Sequence, residues 1–440
     1  MTGPSQPRST PRSQPSVSEV CDDLGRFIDA SPSPYHAVAT AADRLVAAGF
    51  VELVETAAWE PVDRGFVRRG GGLVAWAAPA TATPAMPLRV IGAHTDSPNL
   101  RLKPQPDSGA VGIAQLGVEV YGGALLNSWL DRDLGLSGRI ALAVDDGEVI
   151  ERLVLIDRPV ARVAQLAIHL DREVNERGLV LDRQRHLAPM WAEGSAEPGT
   201  FRAWIASELG VEAEGIGGWD LMFHDLSPAR RIGVDECWLA APRIDNLASC
   251  HAGLEAMVRA GGSADRVAVL ALFDHEEVGS MSATGAQGAL LPTVLARWND
   301  AAGGRPDDLH RALAASVCIS ADGAHATHPN HVDRHEPDHR VVLNGGPVIK
   351  RNSNERYATT SLGQAIAVEA CRAAGVPHQV FVSRTDLACG STIGPITAAQ
   401  LGITTVDMGL AQLSMHSARE LCGARDPAML AATLTAFLRL

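Results

Sequence analysis

The chain has 440 residues, 46% of them hydrophobic and 20% charged, with a formal net charge of -13. Such a length buries a large core and exceeds one ordinary domain, so two domains are expected. The acidic balance and sparse aromatics exclude a nucleic-acid partner, whose phosphates such a surface repels, and no window approaches the ~18 uninterrupted apolar residues of a membrane span, so no membrane partner is expected either.

Along the chain, residues 1–18 are rich in Ser, Pro and Arg and read as a disordered tail. An amphipathic helix is expected over Ala37–Ala48, stopped by Gly49. The apolar run Leu88-Arg89-Val90-Ile91 reads as a strand leading into Gly92-Ala93-His94-Thr95-Asp96. From about Lys103 to Ala240 the period changes to short alternating strands, such as Gly112 to Val120 and Ile140 to Val144, separated by turn residues. From Asp245 onward strands alternate with helices, the pattern of parallel β-α units. The expected fold class is therefore α/β, with a mixed, mainly parallel sheet flanked by helices. Residues 19–102 and 241–440 form its α/β domain, and residues 103–240 form a β-rich insert.

The polar residues of the third stretch follow strands. Val267–Phe273 ends at Asp274-His275-Glu276-Glu277, Ala315–Ser320 ends at Asp322, and Ile403–Met408 leads through a loop to His416. With His94, four segments aim at one edge, where the loops beyond the carboxyl ends of α/β strands bind ligands. Asp245, opening a helix-like stretch from Leu247 to Ala260, joins them unless it merely caps that helix. Two zinc ions a few Å apart need a bridging carboxylate, one imidazole and one carboxylate each, and a base near the shared water. The inventory meets that demand. Asp245 bridges, His94 and Asp322 complete one metal, Glu277 and His416 the other, Glu276 accepts the proton, and Asp96 fixes the ring of His94. The seven cysteines are scattered and contain no C-x-x-C pair, so neither a disulfide framework nor a thiolate zinc site is expected, and a reducing cytoplasm fits best.

These residues resemble the aspartyl aminopeptidases, a family of dinuclear zinc exopeptidases. The matching strings are GAHTDSPNLRLKP from Gly92, AIHLDREVN from Ala167, RIDNLAS from Arg243, FDHEEVGS from Phe273, HATHPNH from His325, GPVIKRNSNERYAT from Gly346, CGSTIGP from Cys389 and MHSARE from Met415. The resemblance implies metal ligands at His94, Asp245, Glu277, Asp322 and His416, with Glu276 as general base. It further implies hydrolysis of N-terminal Asp and Glu residues by water activated between two Zn2+ ions per subunit, with Co2+ or Mn2+ as substitutes. By the same resemblance the α/β domain is a co-catalytic zinc peptidase catalytic domain, the insert is a dimerisation domain, and the dimers build a homo-dodecamer. His169 is implied to reach a neighbouring subunit's active site, where it polarises the scissile carbonyl or stabilises the oxyanion.

An acidic substrate side chain needs a cation in its pocket. Lys350, ending the strand-like Pro347–Ile349, is the best candidate, and the resemblance places Lys350 and Tyr357 in the substrate pocket; the alternatives are a solvated Lys350 and its neighbour Arg351 as the recognising cation. Cys389 to Thr392 reads as a backbone-rich wall beside the substrate. The five histidines from His325 to His339 read as a loop in preference to a metal store. A zinc aminopeptidase or deacylase of the same fold with broader or neutral specificity is the competing function.

Overall fold

The computed structural model describes residues 16–144, 147–195, 197–260 and 263–440. Most of the expected tail, residues 1–15, lies outside the described residues. Its last part is ordered as helix: Ser16 caps Val17–Asp29, accepting from the Glu19 amide while the Glu19 carboxylate takes the Ser16 N–H at 2.6 Å, a reciprocal capping box. The second helix runs Pro34–Ala47, three residues earlier than its apolar period suggests, because Ser33 caps it and Pro34 pre-sets its first turn.

Nine strands form one mixed sheet, in the order Val51–Glu52, Arg64–Arg69, Gly72–Ala77, Val267–Phe273, Leu88–His94, Val317–Ala321, Thr404–Gly409, Val348–Arg351, Gln379–Val382. Its centre is parallel: Val267–Phe273, Leu88–His94, Val317–Ala321 and Thr404–Gly409 run the same way, with Phe273 in register with His94. Val267–Phe273 is buried along its whole length because helices cover both faces. One face packs on helices Val17–Asp29, Pro34–Ala47, Ile244–Ala260 and Asp426–Arg439, through residues such as Phe27, Leu247, Leu270 and Phe437. The other packs on Leu290–Ala301 and Ile393–Leu401, through Val90, Val269, Leu291 and Ile393.

The insert is a closed antiparallel barrel of six strands: Ile216–Asp225, Asn99–Ala110, Ile113–Tyr121, Met190–Glu193, Val149–Arg162 and Asp133–Ala143. Closure removes the sheet edges, and Leu100, Leu134, Ile156, Leu221 and Phe223 fill the inside together with Phe201 of the helix Thr200–Leu209. The barrel thus spans residues 99–225, four residues before the expected start and well short of 240. Trp238–Ala241 instead pairs with Glu420–Gly423 in a second sheet that also holds Arg230–Ile232, Ala411–Leu413 and Ala324–His325. Alternation reveals a strand without revealing its partner, so the sequence could not assign this one.

Candidate metal centre and active site

The parallel strands deliver their polar residues to one edge. His94 is the last residue of its strand and Asp322 immediately follows another, so strand register places His94 Nε2 3.2 Å from Asp322 Oδ1. Asp245 sits in the first turn of Ile244–Ala260, with Oδ2 4.0 Å from His94 Nε2 and 3.5 Å from His416 Nε2. That carboxylate faces the two imidazoles, and its Oδ1 accepts from the Gln412 side chain at 3.0 Å, so it does more than cap its helix. His416 Nε2 also lies 3.5 Å from Glu277 Oε1. Two groups of potential ligands result, His94–Asp245–Asp322 and Asp245–Glu277–His416, and they share Asp245; Glu276 belongs to neither and groups instead with His94 and Glu277.

Both imidazoles turn Nδ1 to a backbone carbonyl, so Nε2 is the nitrogen that faces the carboxylates and would bind a metal. His94 Nδ1–H donates to the backbone carbonyl of Asp96 at 3.0 Å, and His416 Nδ1–H to the carbonyl of Gly123 at 3.2 Å. The expected partner of the His94 ring, the Asp96 carboxylate, is farther away, with Oδ1 at 3.4 Å. Its main contacts lie elsewhere: Oδ1 accepts the Glu276 amide at 3.0 Å, and Oδ2 accepts the Glu277 amide at 3.1 Å and the Tyr121 hydroxyl at 2.7 Å. Asp96 therefore ties the Glu276-Glu277 turn to the strand of His94. The backbone is strained here, with His275 at φ 62°, His416 at φ 66° and Arg243 at φ 56°, left-handed conformations that residues other than glycine rarely adopt.

The donor set fits divalent cations. Burial raises the Glu276 carboxyl to about 7, opposed by the His94 imidazole and reinforced by Asp322, Asp96 and Asp245. Burial also drives Glu277 well above the carboxylate range, and its Oε1 is buried without a hydrogen-bond partner. Burial alone would depress His416, but the hydrogen bond to Asp245 and the charges of Glu277 and Asp245 raise it to about 10. Carboxylates crowded this closely repel one another, and two cations among imidazole and carboxylate donors would relieve both the repulsion and the orphaned oxygen. The tight fit extends to glycine: a Cβ on Gly323 would sit 2.2 Å from Asp245 Oδ1 and 2.8 Å from Gln412 Nε2. Gly323→Ala is therefore expected to displace Asp245 and lose bound zinc while the far-ultraviolet circular dichroism stays unchanged; zinc content after dialysis checks this.

Lys350 and Arg351 separate by the alternation of their strand. Lys350 points inward and is 1% exposed, which excludes the solvated alternative, whereas Arg351 is exposed and donates to Gln364. The Lys350 ammonium donates to Asp322 Oδ2 and to the Gly323 carbonyl, both at 3.0 Å, and lies 5.1 Å from the centre of the Tyr357 ring. Cys389 packs with Tyr357 and Phe381 in one apolar cluster. His169 is exposed in a turn of the insert and joins none of these ligand groups. Among the described residues, the histidines from His325 to His339 form no three-ligand group; His328 and His331 rings sit 4.9 Å apart and His339 pairs with Glu336.

Four contributors escaped the sequence reading: Gln412, Glu420, Tyr121 and Gly123. Glu420 accepts the amides of Asp245 at 3.0 Å and His416 at 2.7 Å. Burial, with Asp245 beside it, raises its carboxyl to about 8. It closes the MHSARE string, the single sequence signal that pointed toward any of the four.

The model of the aminopeptidase I zinc metalloprotease (M18) family matches residues 27–438. A probable M18 family aminopeptidase 2 of Streptomyces coelicolor is 54% identical over 423 residues, covering 95% of this chain and 97% of that relative. Among solved structures, the cryo-EM structure of the Ape4 and Nbr1 complex matches with a TM-score of 0.92 at 36% identity, over 96% of this chain and 86% of that one. The S. cerevesiae mApe1 dodecamer matches with a TM-score of 0.83 at 29% identity, over 96% of each chain.

Proposed function

The chain belongs to the aminopeptidase I zinc metalloprotease (M18) family, and we propose that it removes N-terminal Asp and Glu residues from peptides, using two zinc ions per subunit. The observation that carries the reading is the pair of ligand groups sharing Asp245, with Glu276 beside both and outside each. His94 and Asp322 would hold one ion, Glu277 and His416 the other. Zinc, when bound, supplies Lewis acidity to a substrate carbonyl and makes water more acidic. Glu276 takes the proton of the attacking water and returns it to the departing amine, the work of a positioned carboxylate base. Asp96 fixes the Glu276 backbone for that task.

Lys350 supports the acidic specificity. An ammonium has three donors, Asp322 and Gly323 take two, and the third remains for a substrate carboxylate. The same pairing favours a second reading, a broad or neutral aminopeptidase or a deacylase, in which the charge of Lys350 serves Asp322 alone. His169 is exposed and outside the ligand groups of its own chain, so its proposed role on the scissile carbonyl requires a second copy. A dodecamer built from dimers through the barrel would supply one, and the yeast relative mApe1 is itself a dodecamer. A cytoplasmic location is proposed on the seven free cysteines.

Hydrolysis of an Asp-anilide beside a Leu-anilide tests the reading, before and after chelation and with zinc, cobalt or manganese restored. The expected result is Asp-selective release, abolished by chelator and recovered with metal. Leu-favoured or equal release would leave a metallo-aminopeptidase and remove the acidic pocket.

A further inference from the structure

The two ligand groups are built by different parts of the molecule. His94 ends one strand of the central sheet and Asp322 follows another, so the sheet itself fixes them. Glu277 lies in the short 3-10 turn Glu276–Val278 and His416 in the loop after Ala411–Leu413, and residues of the insert hold them from outside. The Tyr121 hydroxyl donates at 2.7 Å to Asp96 Oδ2, the same oxygen that takes the Glu277 amide at 3.1 Å. The Arg101 guanidinium lies 3.6 Å from the centre of the Tyr121 ring and pins it. Gly123 accepts from His416 Nδ1 at 3.2 Å, the His416 carbonyl accepts the Leu125 amide at 3.0 Å, and the Ala418 amide donates to Ser128 Oγ at 2.8 Å. The fit of Gly122 is close as well, since a Cβ there would lie 3.1 Å from the Cβ of Glu277.

We infer that the barrel segment Tyr121–Ser128 selectively sets the affinity of the Asp245–Glu277–His416 metal position, leaving the His94–Asp245–Asp322 position to the sheet. This rests on the two-metal reading above. Tyr121 is a positioning residue: it acts through Asp96 Oδ2, the oxygen that takes the Glu277 amide, while the His94 ring is held chiefly by the Asp96 backbone carbonyl, which Tyr121 does not touch. Outer partners of metal ligands typically change affinity by about 10–100-fold. The barrel is then a part of the metal centre as well as a unit with its own hydrophobic core.

Zinc titration of the apo protein by calorimetry, with zinc content after dialysis, provides the test. The wild type is expected to bind two zinc ions. Tyr121→Phe, which removes one hydroxyl, should keep one tight zinc and weaken the second by about 10–100-fold. Gly123→Ala presses a methyl on the His416 ring, its Cβ 3.2 Å from Nδ1, and should do the same by an independent contact. If Tyr121→Phe lowers the melting temperature of the apo protein, Gly123→Ala carries the comparison. In a His416→Ala background, Tyr121→Phe should leave the remaining zinc affinity unchanged, because the position it serves is already lost. Equal weakening of both positions, or no weakening in either variant, overturns the inference. A wild type that binds fewer than two zinc ions overturns the two-metal reading and the inference with it.

Discussion

Glu276→Gln should retain both zinc ions and lose about 10²–10⁴-fold in kcat, the range a positioned acid-base group contributes. The amide keeps the size of the carboxylate, and the backbone N–H of residue 276 still bonds Asp96 Oδ1, so the turn keeps its shape. What disappears is the ability to accept a proton. Because Glu276 stands outside both groups that share Asp245, its loss removes no ligand. Elemental analysis and turnover of the same preparation decide the matter: a variant that loses zinc as well would reassign Glu276 as a ligand.

Lys350→Ala carries the second large effect, and on the proposed reading it has two components. Removing one partner of a buried ion pair costs on the order of 3–5 kcal/mol, because the other charge is left uncompensated, so Asp322 and every substrate suffer. Removing the ammonium would also leave the carboxylate of an acidic substrate without its cation, and this second component would touch acidic substrates alone. The expected result is a fall in kcat/KM on Asp-anilide about 100-fold greater than on Leu-anilide, the size of a lost hydrogen bond to a charged group. Lys350→Met, which keeps the apolar stem beside Tyr357, should give the same ratio with less general loss. Equal losses on the two substrates would assign Lys350 to Asp322 alone and favour the broad-specificity enzyme.

Much of the candidate centre was legible in the chain because the proposed ligands sit where strands end. A buried apolar run such as Val267–Phe273 marks a central strand, and the polar residues after it must emerge at the carboxyl edge. His94, Glu277 and Asp322 follow from that rule, and Asp245 and His416 from the chemistry a metal pair demands. The inward aim of Lys350 needed its strand to be placed between Thr404–Gly409 and Gln379–Val382, since alternation says only that Lys350 and Arg351 face opposite ways.

The remainder depended on contacts between segments far apart in sequence. Trp238–Ala241 falls at the expected end of the insert, and only its pairing with Glu420–Gly423 places it in the second sheet. Tyr121 is the last residue of an alternating strand, and nothing local distinguishes it; closure of the barrel carries its hydroxyl to Asp96. The sequence by itself determined the fold class, the edge of the sheet and which metal-binding side chains lie along it, because side-chain period and donor chemistry are local properties. Only the tertiary structure decided which backbone carbonyl holds each imidazole and which buried carboxylate receives the lysine, because hydrogen bonds act over about 3 Å in space whatever the separation along the chain.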